Sequence, residues 1–268
     1  MIRRTAILPL ALAFAASTAS AQRLPANVHP EHYRLSLTPN IAQASFTGSE
    51  TIDVTLDAPA TTITLNAIEL QIASVKAFAT PSIALASKPK GKHFTAPQLD
   101  PASTGAPGQP GAITYDPDNQ QATFTFAQPL PAGHNSLNIA FTGILNDKLR
   151  GFYLSKTSTR NYAVTQFEST DARRAFPSFD EPALKATFSV ALTVDAGDTV
   201  ISNTNIVSDN PASPGKHTLT FATTPGMSTY LVAFLVGDFD CTTHGDSDGI
   251  PIRVCSTPDK VKLTHFAL

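Results

Sequence analysis

The feature that most constrains the fold is a period-two alternation of apolar and polar residues, which recurs from about residue 30 onward. In HYRLSLTP, for example, Tyr33, Leu35 and Leu37 alternate with polar neighbours. Successive side chains of a β-strand point to opposite faces, so this pattern is typical of half-buried strands. Other such segments are SFTGSETIDVTL, TTITLNAIELQIASVKAF, ATFTFAQPL, SLNIAFTGIL, ATFSVALTVDAG and HTLTFATT. The sequence therefore predicts an all-β fold without a helix of ten residues, either a sandwich or a curved, mostly antiparallel sheet.

Two segments depart from simple alternation. TYLVAFLVGDFD is apolar on both faces in its middle, which predicts a central, covered strand. Residues 86–112 are rich in Pro, Gly, Ala and Ser and lack any period, so we expect an exposed, mobile loop inside the sheet domain.

The N-terminus has the tripartite pattern of a secretory signal peptide. Arg3 and Arg4 precede an apolar run, and Ala19-Ser20-Ala21 provides small residues for cleavage. The sequence therefore predicts a signal peptide at residues 1–21 and an exported protein, periplasmic or secreted. No later segment is apolar for long enough to span a membrane. The formal net charge of −2 gives no basic surface for nucleic acid.

The two cysteines flank a predicted hairpin. If the loop in HGDSDG has three residues centred on Asp248, Cys241 and Cys255 lie directly opposite each other. Directly opposed residues of an antiparallel pair are close enough for a disulfide. Because the turn type is not fixed by the sequence, both a Cys241–Cys255 disulfide and two unpaired thiols remain open.

The window QFESTDARRAFPSFDEP, residues 166–182, mixes charges and aromatic residues unusually densely. Its prolines favour a loop or at most one helical turn. Folding back of this loop would bring Arg173 and Arg174 close enough to pair with Asp180. From the residues alone, the window is either a functional loop or a surface loop held by salt bridges.

The window resembles the N-terminal signature of the M1 family of zinc aminopeptidases, approximately Q-F-E-x-x-x-A-R-x-x-F-P-C-F-D-E-P-x-x-K-A-x-F. Ser178 departs from it, since the family often has Cys there. LPANVHPEHYRLSLTPN, LRGFYLS (residues 149–155) and MSTYLVAFLVGDF (residues 227–239) are also similar to family motifs. The resemblance as a whole covers essentially all of residues 24–268.

The resemblance implies a saddle-shaped, mostly antiparallel β sandwich at residues 22–256, which caps a thermolysin-like catalytic domain that would start at residues 257–268. By motif position, Glu168 would bind the α-amino group of a peptide substrate, and Gln166 would line the first substrate pocket. The residues implied to hold this loop in place are Arg173, Asp180, Glu181 and Lys185. Epoxide hydrolysis, found in one branch of the family, is disfavoured because that branch has Gln at the position of Glu168.

The family binds zinc through H-E-x-x-H and a further Glu and also needs a G-x-M-x-N strand, but neither motif occurs in this sequence. His29 and His32 in HPEH fit a turn better than a metal site. We therefore expect the chain to bind no zinc and to be inactive alone. One hypothesis is the N-terminal domain of a secreted M1-type zinc aminopeptidase whose partner is the missing catalytic domain. The alternative is a stand-alone, non-catalytic β module that binds peptide termini or a protein partner.

Overall fold

In a computed structural model of the protein, residues 23–79, 108–242 and 245–267 are described. The predicted signal peptide at residues 1–21 lies outside them. The strands are β1 Val28–Asn40, β2 Ser45–Leu56, β3 Ala60–Asn66, β4 Leu70–Ala79, β5 Gln109–Asp116, β6 Gln121–Leu130, β7 Gly133–Ile144, β8 Gly151–Lys156, β9 Asn161–Gln166, β10 Thr187–Asp195, β11 Thr199–Ser202, β12 Ile206–Pro211, β13 Lys216–Phe221, β14 Phe234–Gly237, β15 Asp240–Cys241, β16 Asp246–Ser247, β17 Ile250–Pro251 and β18 Cys255–Ser256. Short 3₁₀ helices cover Ala172–Arg174, Thr229–Leu231 and Pro258–Ala267.

The described strands form two main sheets, which confirms the predicted all-β sandwich. The larger sheet has ten strands in the order β12-β13-β10-β1-β2-β7-β4-β5-β6-β3. The smaller one has four, in the order β11-β14-β9-β8. Pairing is antiparallel except between β1 and β10, which are parallel. Two small ladders, β15–β18 and β16–β17, follow at the C-terminal end.

The hydrophobic core lies between the two main sheets. Phe46 of β2 packs against Phe152 of β8 with ring centroids 5.1 Å apart, and Phe152 packs against Phe234 of β14 at 4.8 Å. The alternation read in the sequence matches the burial; in β1, Tyr33, Leu35 and Leu37 are at most 2 % exposed. Fully burying such a side chain contributes about 1.5–3 kcal/mol, so these rows stabilise the sandwich.

The predicted loop at residues 86–112 is wrong at its C-terminal end, because Gln109–Asp116 forms strand β5. Pro110 cannot donate to a ladder, but the side chain of Gln109 compensates. Its Nε2 donates to the Gln128 carbonyl (3.1 Å), and its Oε1 accepts from the Gln128 N–H (2.6 Å). Residues 86–107 lie outside the described residues.

Two further predictions need correction. TYLVAFLVGDFD begins with the 3₁₀ helix Thr229–Leu231, and its covered strand is limited to Phe234–Gly237, between β11 and β9. The Thr229 hydroxyl donates to the buried Asp180, which draws this part of the chain away from a ladder. A ten-residue 3₁₀ helix, Pro258–Ala267, was also not predicted.

The parallel pair of β1 and β10 positions the window at residues 166–182. Tyr33 of β1 stacks on Phe188 of β10 with centroids 4.8 Å apart, and its ring edge meets Phe176 of the window at 6.1 Å. The Tyr33 hydroxyl accepts a hydrogen bond from the Phe179 N–H at 3.1 Å. The window that connects β9 to β10 is therefore fastened onto the core.

Candidate functional site

The centre of the candidate site is a tight turn that follows strand β9. The Asp171 N–H donates to the Phe167 carbonyl at 2.8 Å and closes a turn that contains Glu168. Phe167 is 2 % exposed and packs against Phe176 and Phe234 at 6.0 and 5.9 Å. A buried aromatic residue therefore anchors the turn, while the Glu168 side chain is exposed.

The second part of the site is a buried carboxylate, Asp180, which is 1 % exposed. Arg173 donates to it through Nε at 2.9 Å and also bonds the Asp180 carbonyl through Nη2 at 3.1 Å. The Thr229 hydroxyl donates to the other carboxylate oxygen at 2.6 Å. Both oxygens of the buried charge are thus satisfied, as a stable buried ion pair requires.

Arg174 forms a separate ion network and is only 5 % exposed. Its Nε donates to Asp171 at 2.6 Å, and its Nη1 lies 2.9 Å from Glu69. Glu69 also pairs with Lys148 at 3.2 Å. Desolvation opposes ionisation of Glu69, but the hydrogen bonds from Arg174 and Lys148 outweigh it and lower the Glu69 pKa. The network joins the turn to two other loops.

A glycine makes room for Arg174. Gly151, the first residue of β8, has φ +70°, and a Cβ added there would lie 2.6 Å from the Arg174 Cβ. Both the left-handed backbone and the close approach require glycine. The packing of Arg174 under the turn therefore depends on Gly151.

Asn66 at the end of β3 fastens the distal part of the window. Its backbone exchanges two hydrogen bonds with Ser178, of 2.8 and 3.0 Å, and its side-chain oxygen accepts from the Asp180 N–H at 3.2 Å. The Ser178 hydroxyl is fully buried and has no hydrogen-bond partner among the described residues. A thiol is a weaker hydrogen-bonding group than a hydroxyl, so burying it there without a partner would cost less stability.

The implied loop network only partly matches the structure. Arg173 and Asp180 are paired, whereas Glu181 pairs with Arg23 at 2.6 Å near the start of the described chain. Lys185 is exposed and forms no ion pair with the described residues, so its assignment to the network needs correction. Residues that the sequence reading missed are Glu69, Asn66, Asp171 and Thr229. Only Asp171 gave a signal, through its three-residue spacing from Arg174.

The structure leaves the two implied substrate-binding side chains accessible. Glu168 and Gln166 are both exposed, and neither has a side-chain hydrogen bond or ion pair with the described residues. Glu168 is not turned toward Arg173, whose guanidinium is bound to Asp180. A carboxylate and an amide are therefore available together at the end of β9.

Cys241 and Cys255 face each other in the β15–β18 ladder and form a disulfide with an S–S distance of 2.04 Å. This disulfide joins the ends of the segment that carries the β16–β17 hairpin.

Within the described part of the chain, no group of three or more His, Cys, Asp or Glu side chains could hold a metal ion. His29 instead binds Asp57 at 3.0 Å, and the His32 Nδ1 lies 2.7 Å from the Thr187 hydroxyl oxygen. The described residues therefore do not fit a catalytic zinc.

Comparison with known proteins shows that the chain is similar to aminopeptidases. The chain is 36 % identical over 253 residues to puromycin-sensitive aminopeptidase of Caenorhabditis elegans. The aligned region covers 92 % of this chain and 24 % of that protein. It is 37 % identical over 249 residues to aminopeptidase 2 of Candida albicans, with 91 % and 24 % covered. It is 36 % identical over 260 residues to aminopeptidase 2, mitochondrial, of Saccharomyces cerevisiae, with 93 % and 24 % covered. The chain thus spans about a quarter of the length of these aminopeptidases.

The family follows from the part of the chain that holds the larger sheet, most of the smaller sheet and the window. Residues 29–231 match the Peptidase M1 N-terminal domain. The chain belongs to the M1 peptidase family and contains its N-terminal domain.

The comparisons also correct the predicted location. Of the relatives described above, the one whose name states a compartment is mitochondrial, and none is named as a secreted enzyme. The prediction of export to the periplasm or the medium is therefore wrong. Among the described residues, no helix has the length and apolar character needed to cross a membrane.

Proposed function

We propose that this chain recognises the free amino terminus of a peptide through Glu168, as the N-terminal domain of an M1-type zinc aminopeptidase that removes N-terminal residues. One observation carries the proposal: in the window at residues 166–182, Glu168 is the one charged side chain without a hydrogen-bond or ion-pair partner in the described chain. The other charged residues of the window, all of which have partners, are Asp171, Arg173, Arg174, Asp180 and Glu181.

The proposed chemistry is a charge-assisted hydrogen bond between the Glu168 carboxylate and a peptide α-ammonium. An internal peptide segment brings no such charge, so it would leave the carboxylate unpaired when the cleft closes. Gln166, exposed at the end of β9, can offer an amide to the same peptide terminus. This arrangement favours exopeptidase over endopeptidase specificity.

The family name of the relatives supports an aminopeptidase role, but the described residues do not fit zinc. We therefore assign this chain the recognition of the peptide terminus and derive no hydrolytic step from it. We propose residues 22–256 as the β domain, residues 257–268 as the start of its connection to a catalytic domain, and an M1 catalytic domain as the protein partner.

A second candidate is a non-catalytic module that binds peptide termini. It needs only the exposed Glu168 and Gln166 side chains and no metal-binding residues. The two functions differ in whether the chain acts together with a catalytic domain. The purified chain is mixed with a separately expressed M1 catalytic domain loaded with zinc, and the release of the first amino acid from a peptide is measured. Release that increases when the chain is added supports the aminopeptidase domain, whereas peptide binding with no effect on release supports the module.

The recognition itself is tested by titrating the full chain with a pentapeptide that has a free amino terminus and with its N-acetylated form. We expect acetylation and Glu168→Gln each to weaken binding at least about tenfold, since hydrogen bonds to charged groups contribute roughly 1.5–3 kcal/mol. Asp246→Asn is the matched control, because Asp246 is an exposed carboxylate on the β16–β17 hairpin, outside the window. Equal binding of the free and acetylated peptides would contradict the proposal.

A further inference from the structure

Backbone strain is concentrated around the loop that carries Glu168. Three non-glycine residues near it have positive φ: Glu69 at +60°, Gln120 at +53° and Leu149 at +57°. Glu69 binds Arg174 at 2.9 Å, and the Gln120 Oε1 accepts from Arg173 at 3.3 Å. Strained residues of this kind persist where the surrounding structure holds them, and they cluster at functional sites.

Leu149 differs from the other two residues because its side chain is directed to solvent. It is 66 % exposed and is not part of the hydrophobic core. Glu69 and Gln120 use their side chains to hold the arginines of the window, which explains their strained backbones. No such contact among the described residues accounts for Leu149.

The loop that carries Leu149 is built firmly. The Asn146 side chain, in a residue that is 7 % exposed, donates to the Arg150 carbonyl at 2.9 Å and accepts from the Lys148 N–H at 2.8 Å. Lys148 in turn pairs with Glu69 at 3.2 Å, within the network that holds Arg174. Bonds on both sides of Leu149 therefore fix its unfavourable conformation.

Leu149 and the Glu168 turn follow the same end of the β8–β9 ladder. Gly151 of β8 is paired with Gln166 of β9. Two residues beyond this pair on each chain come Leu149 and Glu168, at the same end of the ladder. An exposed apolar side chain and an unpaired carboxylate therefore follow the same end of this ladder.

We propose that Leu149 contacts the side chain of the first residue of a bound peptide and selects peptides whose first residue is apolar. This inference rests on the proposed function, because it assumes that Glu168 holds the α-ammonium of the same residue. A leucine in this position buries apolar surface of an apolar first side chain, but it provides no hydrogen bond or charge to a polar or charged side chain. The preferred substrates are therefore peptides that begin with residues such as Leu, Met or Phe.

The test compares two pentapeptides that differ only in a first residue of Leu or Gly, each titrated against the full chain. The variant is Leu149→Gly, which removes the side chain and suits a positive φ, so the fold is retained. Leu149→Met is the matched control because it keeps an apolar side chain. We expect Leu149→Gly to reduce the preference for the leucine peptide about fivefold, with glycine-peptide affinity unchanged, and Leu149→Met to keep that preference.

The outcomes separate this inference from the proposed function. If Leu149→Gly leaves the leucine preference intact or weakens both peptides equally, the inference is wrong. If acetylation still weakens binding at least about tenfold in that case, recognition by Glu168 stands by itself. If the unmodified chain binds neither peptide, both proposals fall. Urea unfolding midpoints of the variants confirm that the comparison is made between folded proteins.

Discussion

Arg173 and Asp180 form the innermost ion pair of the window, with 2.9 Å between the guanidinium Nε and a carboxylate oxygen. The Arg173 side chain is 11 % exposed and that of Asp180 is 1 % exposed. The pair lies seven residues apart in sequence and closes the segment that follows the Glu168 turn. It is therefore the internal support on which the position of the turn depends.

Removal of this carboxylate should destabilise the domain strongly. We expect Asp180→Ala to lower the free energy of unfolding by about 3–5 kcal/mol, because it leaves the Arg173 charge buried without a partner. Asp195→Ala, which breaks the exposed pair with Lys216, is the control and should cost less than about 1 kcal/mol. Urea titrations of both variants give the comparison. Similar losses in the two would show that burial of Asp180 does not govern its contribution.

Two buried serines allow a test of hydrogen-bond satisfaction. Ser178 has an unpartnered hydroxyl within the described structure, whereas the Ser136 hydroxyl donates to Asp53 at 2.7 Å. We expect Ser178→Cys to raise the free energy of unfolding by about 1 kcal/mol and Ser136→Ala to lower it by about 1 kcal/mol. Thermal or urea unfolding measures both. A loss of stability in Ser178→Cys would mean that the site is too tight for sulfur.

Glu50 should make stability depend on pH. It lies on the core-facing side of β2, 3 % exposed, with neither carboxylate oxygen bonded to a described residue. Desolvation by burial raises its pKa well above the ordinary value of 4.5. Tyr33 lies nearby, and its own pKa is raised first by burial and further by the Glu50 charge.

The sign follows from the protonation states of the folded and unfolded chain. Below pH 4.5 both states are protonated at Glu50. Above it, only the unfolded chain releases the proton, so the stability due to this group falls by about 1.4 kcal/mol per pH unit until the raised folded-state pKa is passed. We expect Glu50→Gln to remove this slope above about pH 5, where the Glu50 carboxyl has lost its proton in the unfolded chain and keeps it in the folded chain. Urea midpoints measured across that range decide it; parallel curves for the variant and the parent chain would contradict an ionisable buried Glu50.

Much of the fold was predictable because burial repeats with the period of a strand. The alternation of Tyr33, Leu35 and Leu37 with polar residues predicted strand β1, and β10 shows the same alternation of buried and half-buried positions. Strand β5 was missed because Pro110 and Gly111 resemble a loop, and its pairing depends on the side chain of Gln109. Local composition does not reveal the contact between Gln109 and Gln128, which are 19 residues apart.

The site was predictable only where its residues share one short window. The Glu168 position and the pairing of Arg173 with Asp180 could be inferred from a spacing of a few residues. The partnership of Arg174 with Glu69 could not, because it joins distant loops that only the folded sheets bring together. Leu149 carried no signal of its own, since its exposure and its positive φ are properties of the folded chain.

The parallel pairing of β1 with β10 has a consequence for synthesis on the ribosome. His32 and Thr187, which are aligned in this pair, are 155 residues apart in the chain. At a translation rate of about 5–20 residues per second, the edge of β1 waits roughly 8–30 s before its neighbour is made. During that interval the nascent chain offers an unpaired strand edge to any other extended polypeptide. Newly made copies are therefore more vulnerable to intermolecular association than the finished domain is, and early chaperone capture would protect them.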